Sequence, residues 1–135
     1  MPYLPLPVPL PYKESEEFWA GCKRHELVIR KCADCGVCHH PPLPVCPACQ
    51  SSSHTWPKMS GKGRVESLTI VRRPIFPGFP VPYNIVRVEL EEQKGLLILG
   101  NVVNCTLEEI YIDMPVEIIF EDVTLTTTMY YFQKA

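Results

Sequence analysis

The chain has 135 residues, 13 of them basic and 15 acidic, for a net charge of −2. That length holds one medium domain or two small ones, and the charge gives no overall bias towards nucleic acid. No stretch approaches the roughly 20 apolar residues that a membrane span needs, so no membrane role is expected.

The first 12 residues alternate proline with apolar side chains and carry no basic n-region, so they do not read as a signal peptide. They read as an extended arm. Residues 13–25 read as a short helix, with Ser15 at the N-cap and Glu16 and Glu17 in the first turn. Phe18, Trp19 and Cys22 share one face at helical spacing, which predicts packing on the rest of the chain. Residues 27–31 alternate like a strand and lead into Cys32. Residues 40–45 return the chain to Cys46.

Cys32, Cys35, Cys46 and Cys49 form two C-x2-C pairs ten residues apart. Such knuckles bring four thiolates onto one tetrahedral ion, and the spacing points to a structural Zn2+. Gly36 and Pro47 suit the tight turns this requires. A closed four-thiolate site leaves no open position for a reacting water. The seven cysteines thus fit metal binding in a reducing, cytoplasmic setting better than disulfides. This layout predicts a zinc ribbon of rubredoxin-like type.

From residue 60 the composition turns to β-branched residues. Strands are expected at 65–71, 83–90, 95–103, 114–120 and 126–132, with Gly100 at a bulge or bend. Residues 107–110 read as one helical turn. The predicted architecture is mainly β: an N-terminal helix and rubredoxin-like zinc ribbon, then a five-stranded barrel of OB type. The expected divisions are 1–26 for arm and helix, 27–59 for the ribbon and 60–135 for the OB-fold domain.

The sequence offers no nucleophile, base and oxyanion constellation, so the chain reads as non-catalytic. His39 and His40 read as solvent-facing residues of the zinc loop, Cys38 as a loop residue, and Cys22 and Cys105 as buried, inert thiols. One stretch suggests binding. Lys58, Lys62, Arg64, Arg72 and Arg73 surround the first barrel strand, and Phe76, Phe79 and Tyr83 follow. Guanidinium groups beside aromatic side chains suit the phosphates and thioester arm of a CoA ester. They equally suit single-stranded nucleic acid, with rings stacked on bases.

Read together, Phe18-Trp19, the four knuckle cysteines, Pro41-Pro42, Trp56, residues 60–65, residues 67–74, Pro82-Tyr83, Gly100-Asn101 and Met114-Pro115-Val116 carry a resemblance. The chain resembles the small acyl-CoA-associated proteins, once a domain of unknown function, that join a rubredoxin-like zinc ribbon to an OB fold. Two departures stand out. Asp113 occupies a place where that family usually has glycine, and the end Phe132-Gln133-Lys134-Ala135 lacks the usual final proline. The resemblance implies a non-catalytic subunit that assembles with a thiolase-like enzyme and shares its CoA thioester, and no nucleic-acid partner. The residues alone leave two other classes open: a nucleic-acid-binding module and an iron-bearing electron carrier.

Overall fold

The computed structural model describes residues 9–74 and 80–135. A 3-10 turn at Lys13–Ser15 runs into helix α1, Glu16–Lys23. Ser15 stands at the N-cap of α1, but its hydroxyl makes no capping bond there. It bonds back instead, accepting from the Tyr12 N–H and donating to the Tyr12 carbonyl, both at 3.0 Å. Phe18 and Cys22, four residues apart, are buried together. Phe18 meets Trp19 edge-on at 5.1 Å and Tyr130 at 5.7 Å. The expected apolar face therefore packs inward, against the barrel.

Strands β1 (Arg30–Cys32), β2 (Cys38–His39) and β3 (His54–Thr55) form a small antiparallel sheet in the order β2-β1-β3. β1 begins three residues later than the alternation predicted. Leu27, Val28 and Ile29 are all buried, so this stretch has no solvent face. Its backbone pairs irregularly with residues 57–59 instead, through Ile29 N to Pro57 O and Met59 N to Leu27 O. Residues 40–45 return as a loop, since prolines 41, 42 and 44 cannot donate to a ladder.

Strands β4 (Lys62–Val71), β5 (Tyr83–Leu90), β6 (Leu97–Gly100), β7 (Pro115–Asp122) and β8 (Thr128–Lys134) make a curled sheet in the order β6-β5-β4-β7-β8. The chain leaves β5 and crosses to β8 just after Gly100. There the buried Asn84 side chain donates to Val102 O at 2.8 Å and accepts from Val102 N at 2.7 Å. Val102 then bridges Phe132 in parallel, joining the two edges of the sheet. This is the OB arrangement.

Glycines set how closely the strands approach. A Cβ at Gly63 would sit 2.3 Å from the Glu89 carbonyl oxygen, where β4 coils over β5. Gly61, at φ +81°, holds a conformation that side chains disfavour. Gly100 marks no bulge, for Val86 pairs with it in regular register. It is small because the Phe132 ring would lie 2.9 Å from a Cβ there. The register shift falls in β4, between Val65 and Ser67. Beside it the Arg87 guanidinium grips Glu66 at 2.6 and 3.1 Å.

Phe18 and Cys22 of α1, Leu27 and Ile29 before the ribbon, and Val65, Val86, Val88, Ile98, Val116 and Phe132 of the barrel belong to one contiguous core. A side-chain amide adds a polar tie. Gln93, in the β5–β6 turn, accepts from Cys38 N at 2.9 Å and donates to Cys38 O at 2.8 Å. Gly63→Ala is expected to lower stability by about 1–3 kcal/mol, the usual cost of an overpacked site. Urea denaturation reads this; an unchanged midpoint would mean that β4 and β5 lie farther apart.

Candidate functional site

Two knuckles of matching build hold the four cysteines. In the first, Cys32 N donates to Val37 O and Gly36 N to Cys32 O. In the second, Cys46 N donates to Ser51 O and Gln50 N to Cys46 O, at the same offsets. Backbone N–H groups also reach the sulfurs, from Cys35 to Cys32 Sγ and from Ala48 to Cys46 Sγ, each at 3.4 Å. The N–H of Cys35 is the leading cause that lowers the Cys32 thiol below its ordinary range, and the N–H of Cys49 does the same for Cys46. Both first cysteines are thus tuned towards thiolate.

The four Sγ atoms lie within 4.8 Å of one another. Cys32 and Cys49 are 3.5 Å apart, Cys35 and Cys46 3.6 Å. Bonds of about 2.3 Å to a tetrahedral zinc place sulfurs roughly 3.8 Å apart. The donor set and its spacing therefore fit one such ion. None of the seven cysteines is in a disulfide.

The histidines differ from the sequence expectation. His39 is buried, and His40 packs on Phe18 at 5.0 Å rather than facing solvent. β2 pairs with β1 and turns His39 inward opposite Arg30. His39 Nε2 accepts from Leu43 N, which steadies the loop above it. Burial, then the neighbouring His39, pushes His40 down to about 4. Cys38 is no free loop residue either; it lies in β2 under the Gln93 tie. Cys22 is fully buried and its thiol is pushed up to about 12, as an inert core residue requires. Burial, followed by Glu109, also raises Cys105, which is only half-buried.

The basic stretch does not form one patch. Lys62 begins β4 and Arg72 follows its end, about 30 Å away at strand spacing. Arg64 is already engaged by Glu89 at 2.8 Å and by Asp113. Asp113 holds a left-handed φ of 70° and donates its N–H to Val65 O, which is why glycine suits that place. Arg72 and Arg73 are exposed and make no ion pair among the described residues. Tyr83 opens β5 opposite Val71 and is half-buried. Phe76 and Phe79 lie outside the described residues. A groove of about 460 Å³, which the sequence did not suggest, lies at the other end of β4 between Lys62, Arg64, Glu89, Lys94 and Pro115.

Two outcomes follow. Gln50, at φ 65°, stands where the first knuckle has Gly36. Gln50→Gly is expected to stabilise the chain by a few tenths to about 1 kcal/mol, read as a higher melting temperature; a lower one would contradict the matched build. His40 titrates near 6.5 when unfolded and about 4 when folded. Between these values the unfolded chain binds more protons, so this residue's contribution is complete above pH 6.5 and is lost as pH falls towards 4. His40→Phe is expected to show a flatter acid slope of stability in that window than the wild type.

Residues 19–55 match the ChsH2 rubredoxin-like zinc ribbon domain, and residues 56–121 match the ChsH2 C-terminal OB-fold domain. A DUF35 domain-containing scaffold protein of Methanocaldococcus jannaschii is 36% identical over 105 residues, covering 76% of this chain and 73% of that protein. The 3-oxo-4,17-pregnadiene-20-carboxyl-CoA hydratase alpha subunit of Mycobacterium tuberculosis is 36% identical over 110 residues, 82% of this chain. The chain spans about a third (34%) of that subunit, and the same share of a probable enoyl-CoA hydratase alpha subunit of Thermomonospora curvata. Among solved structures, a chain of the Ltp2-ChsH2(DUF35) aldolase superposes with a TM-score of 0.85 at 31% identity, over 94% of this chain and 98% of that one. A DUF35 protein from Sulfolobus solfataricus, 15% identical with a TM-score of 0.63 over 91% and 86%, shares the fold. A paired-cysteine ribbon joined to an OB sheet, in this order and with these relatives, places the chain in the ChsH2/DUF35 family.

Proposed function

We propose that the chain is a non-catalytic accessory subunit of a thiolase-type, or thiolase-like aldolase, complex acting on acyl-CoA thioesters. In this reading it stabilises the catalytic subunit and helps bind or channel the CoA ester. Cys32, Cys35, Cys46 and Cys49 hold one structural Zn2+, which locks the ribbon against the barrel and supplies no open coordination position. The observation that carries the reading is the full-length likeness to the ChsH2 chain of an aldolase named for its pairing with Ltp2.

The chemistry of the chain supports it. The two cysteines outside the ribbon and its sheet, Cys22 and Cys105, both have raised thiols, the reverse of an activated nucleophile. Arg72 and Arg73, exposed at the end of β4, supply donors for CoA phosphates. Phe76, Phe79 and Tyr83 supply apolar surface for the acyl or pantetheine arm, or for the partner. The hydratase relatives carry this match on a third of their length, which sets the same module beside acyl-CoA chemistry in larger chains. The nucleic-acid reading loses ground because the cations of β4 are split between its two ends and partly neutralised.

Two experiments test the proposal. Metal analysis of the purified chain is expected to give one zinc, and Cys46→Ser is expected to lose it and unfold the ribbon, since binding of this kind supplies roughly 10 kcal/mol or more. An intact ribbon without metal would contradict it. Co-expression with the thiolase-like protein of the same organism is expected to give a complex that survives size-exclusion chromatography. Arg72→Ala with Arg73→Ala is then expected to raise the KM of that complex for CoA esters several-fold while leaving assembly intact.

A further inference from the structure

Arg30 lies at the start of β1 and is 6% exposed. Among the described residues its guanidinium makes one hydrogen bond, Nη2 to Pro44 O at 3.2 Å, and no ion pair. None of its nitrogens is among the buried side-chain atoms without a partner, so the cation lacks a counter-charge among the described residues without being a sealed, orphaned group. The chain's own acids are all accounted for. Residues 1–8 and 75–79 contain no aspartate or glutamate, and none of the 15 acids elsewhere pairs with Arg30.

A second polar group lies at the same place. His39 stands directly opposite Arg30 across the β1–β2 ladder and is 8% exposed. Its Nε2 accepts from Leu43 N, which leaves the proton on Nδ1, and Nδ1 is buried without a partner. The Arg30 guanidinium and the Nδ1–H of His39 are both donors, so the group that suits this place is an acceptor. The loop above them is unusually apolar for an exposed one. Leu43 is 42% exposed and Val45 44%, and Tyr12, 49% exposed, is fastened to the same loop through its hydroxyl and Pro42 O at 3.1 Å. An arginine set among exposed aromatic and aliphatic side chains has the make-up of a binding hot spot.

We infer that this face, with Arg30 at its centre and Tyr12, Leu43 and Val45 around it, docks a protein surface that presents a carboxylate flanked by apolar side chains, on the catalytic subunit. The inference rests on the accessory-subunit reading and adds to it the contact surface and its chemistry. Charge complementarity selects the occupant: a second copy of this chain presents the same cation, and an apolar partner without an acid leaves Arg30 unpaired. Arginine suits the role because its weakly hydrated, planar fork binds a carboxylate in two bonds at once.

The test uses the full chain with the co-expressed thiolase-like subunit. Leu43→Asp with Val45→Asp, both at exposed positions, is expected to weaken association at least a hundredfold while zinc content is unchanged. Arg30→Met is expected to weaken it at least tenfold. A photo-crosslinking residue at position 43 is expected to capture a peptide of the catalytic subunit that contains Asp or Glu. If Arg30→Met does not fold, the double-Asp variant and the crosslink still decide. Association within twofold of wild type for the double-Asp variant, or a crosslink to a second copy of this chain, overturns the docking face alone. A wild-type chain that does not associate with the catalytic subunit overturns the accessory-subunit reading beneath it.

Discussion

Four sulfur atoms within 4.8 Å of one another are the constraint on which the ribbon depends. Like-charged thiolates repel, and only a cation at their centre turns that crowding into cohesion. The ribbon could not otherwise hold itself. Its three strands have two or three residues each, far too little sheet to stand alone. Its first cysteine sits in β1, and the segment just before β1 delivers Leu27 and Ile29 into the core shared with the barrel. The thiolate cluster, the β1 ladder and that core are therefore mechanically one object. The Gln93 amide fastens the far side of the ribbon to the barrel by imitating a strand partner for Cys38.

That arrangement divides the surface into zones with different physics. The barrel interior is filled by aliphatic side chains and Phe132. The groove by Lys62 and Lys94 mixes both signs of charge. The buried polar atoms without a partner among the described residues, Nδ1 of His39 and of His40, lie instead at the ribbon, where His39 and Arg30 meet under an apolar loop. Arg30 makes no ion pair there among the described residues.

Much of this was legible in the sequence, and for identifiable reasons. The knuckle spacing announces itself because metal geometry tolerates little variation. β5 was readable to the residue because Asn84, Val86, Val88 and Leu90 face the core while Arg87 stays exposed. Less legible were features that depend on what lies across the fold. Asn84 looks like an ordinary strand residue until its amide is seen to close the sheet through Val102. Gly100 suggested a bulge or bend; the register there is regular, the chain crosses to β8 just beyond it, and its smallness also accommodates the Phe132 ring. His39 and His40 looked like loop residues because nothing local shows that β1 covers one and Phe18 the other. Arg30 was missed altogether, for a lone arginine in a strand gives no sign that its chain holds no acid for it. Nor does the sequence show how far apart Lys62 and Arg72 stand, at opposite ends of β4.

The central claim is that this chain assists acyl-CoA chemistry without performing it. Turnover of an acyl-CoA thioester by three samples tests it most directly: the chain alone, the thiolase-like subunit alone, and the two combined at equal concentration. The account predicts no turnover by the chain, and a rate for the mixture well above that of the catalytic subunit by itself. Turnover by the chain alone, or a mixture no faster than the catalytic subunit, would contradict it.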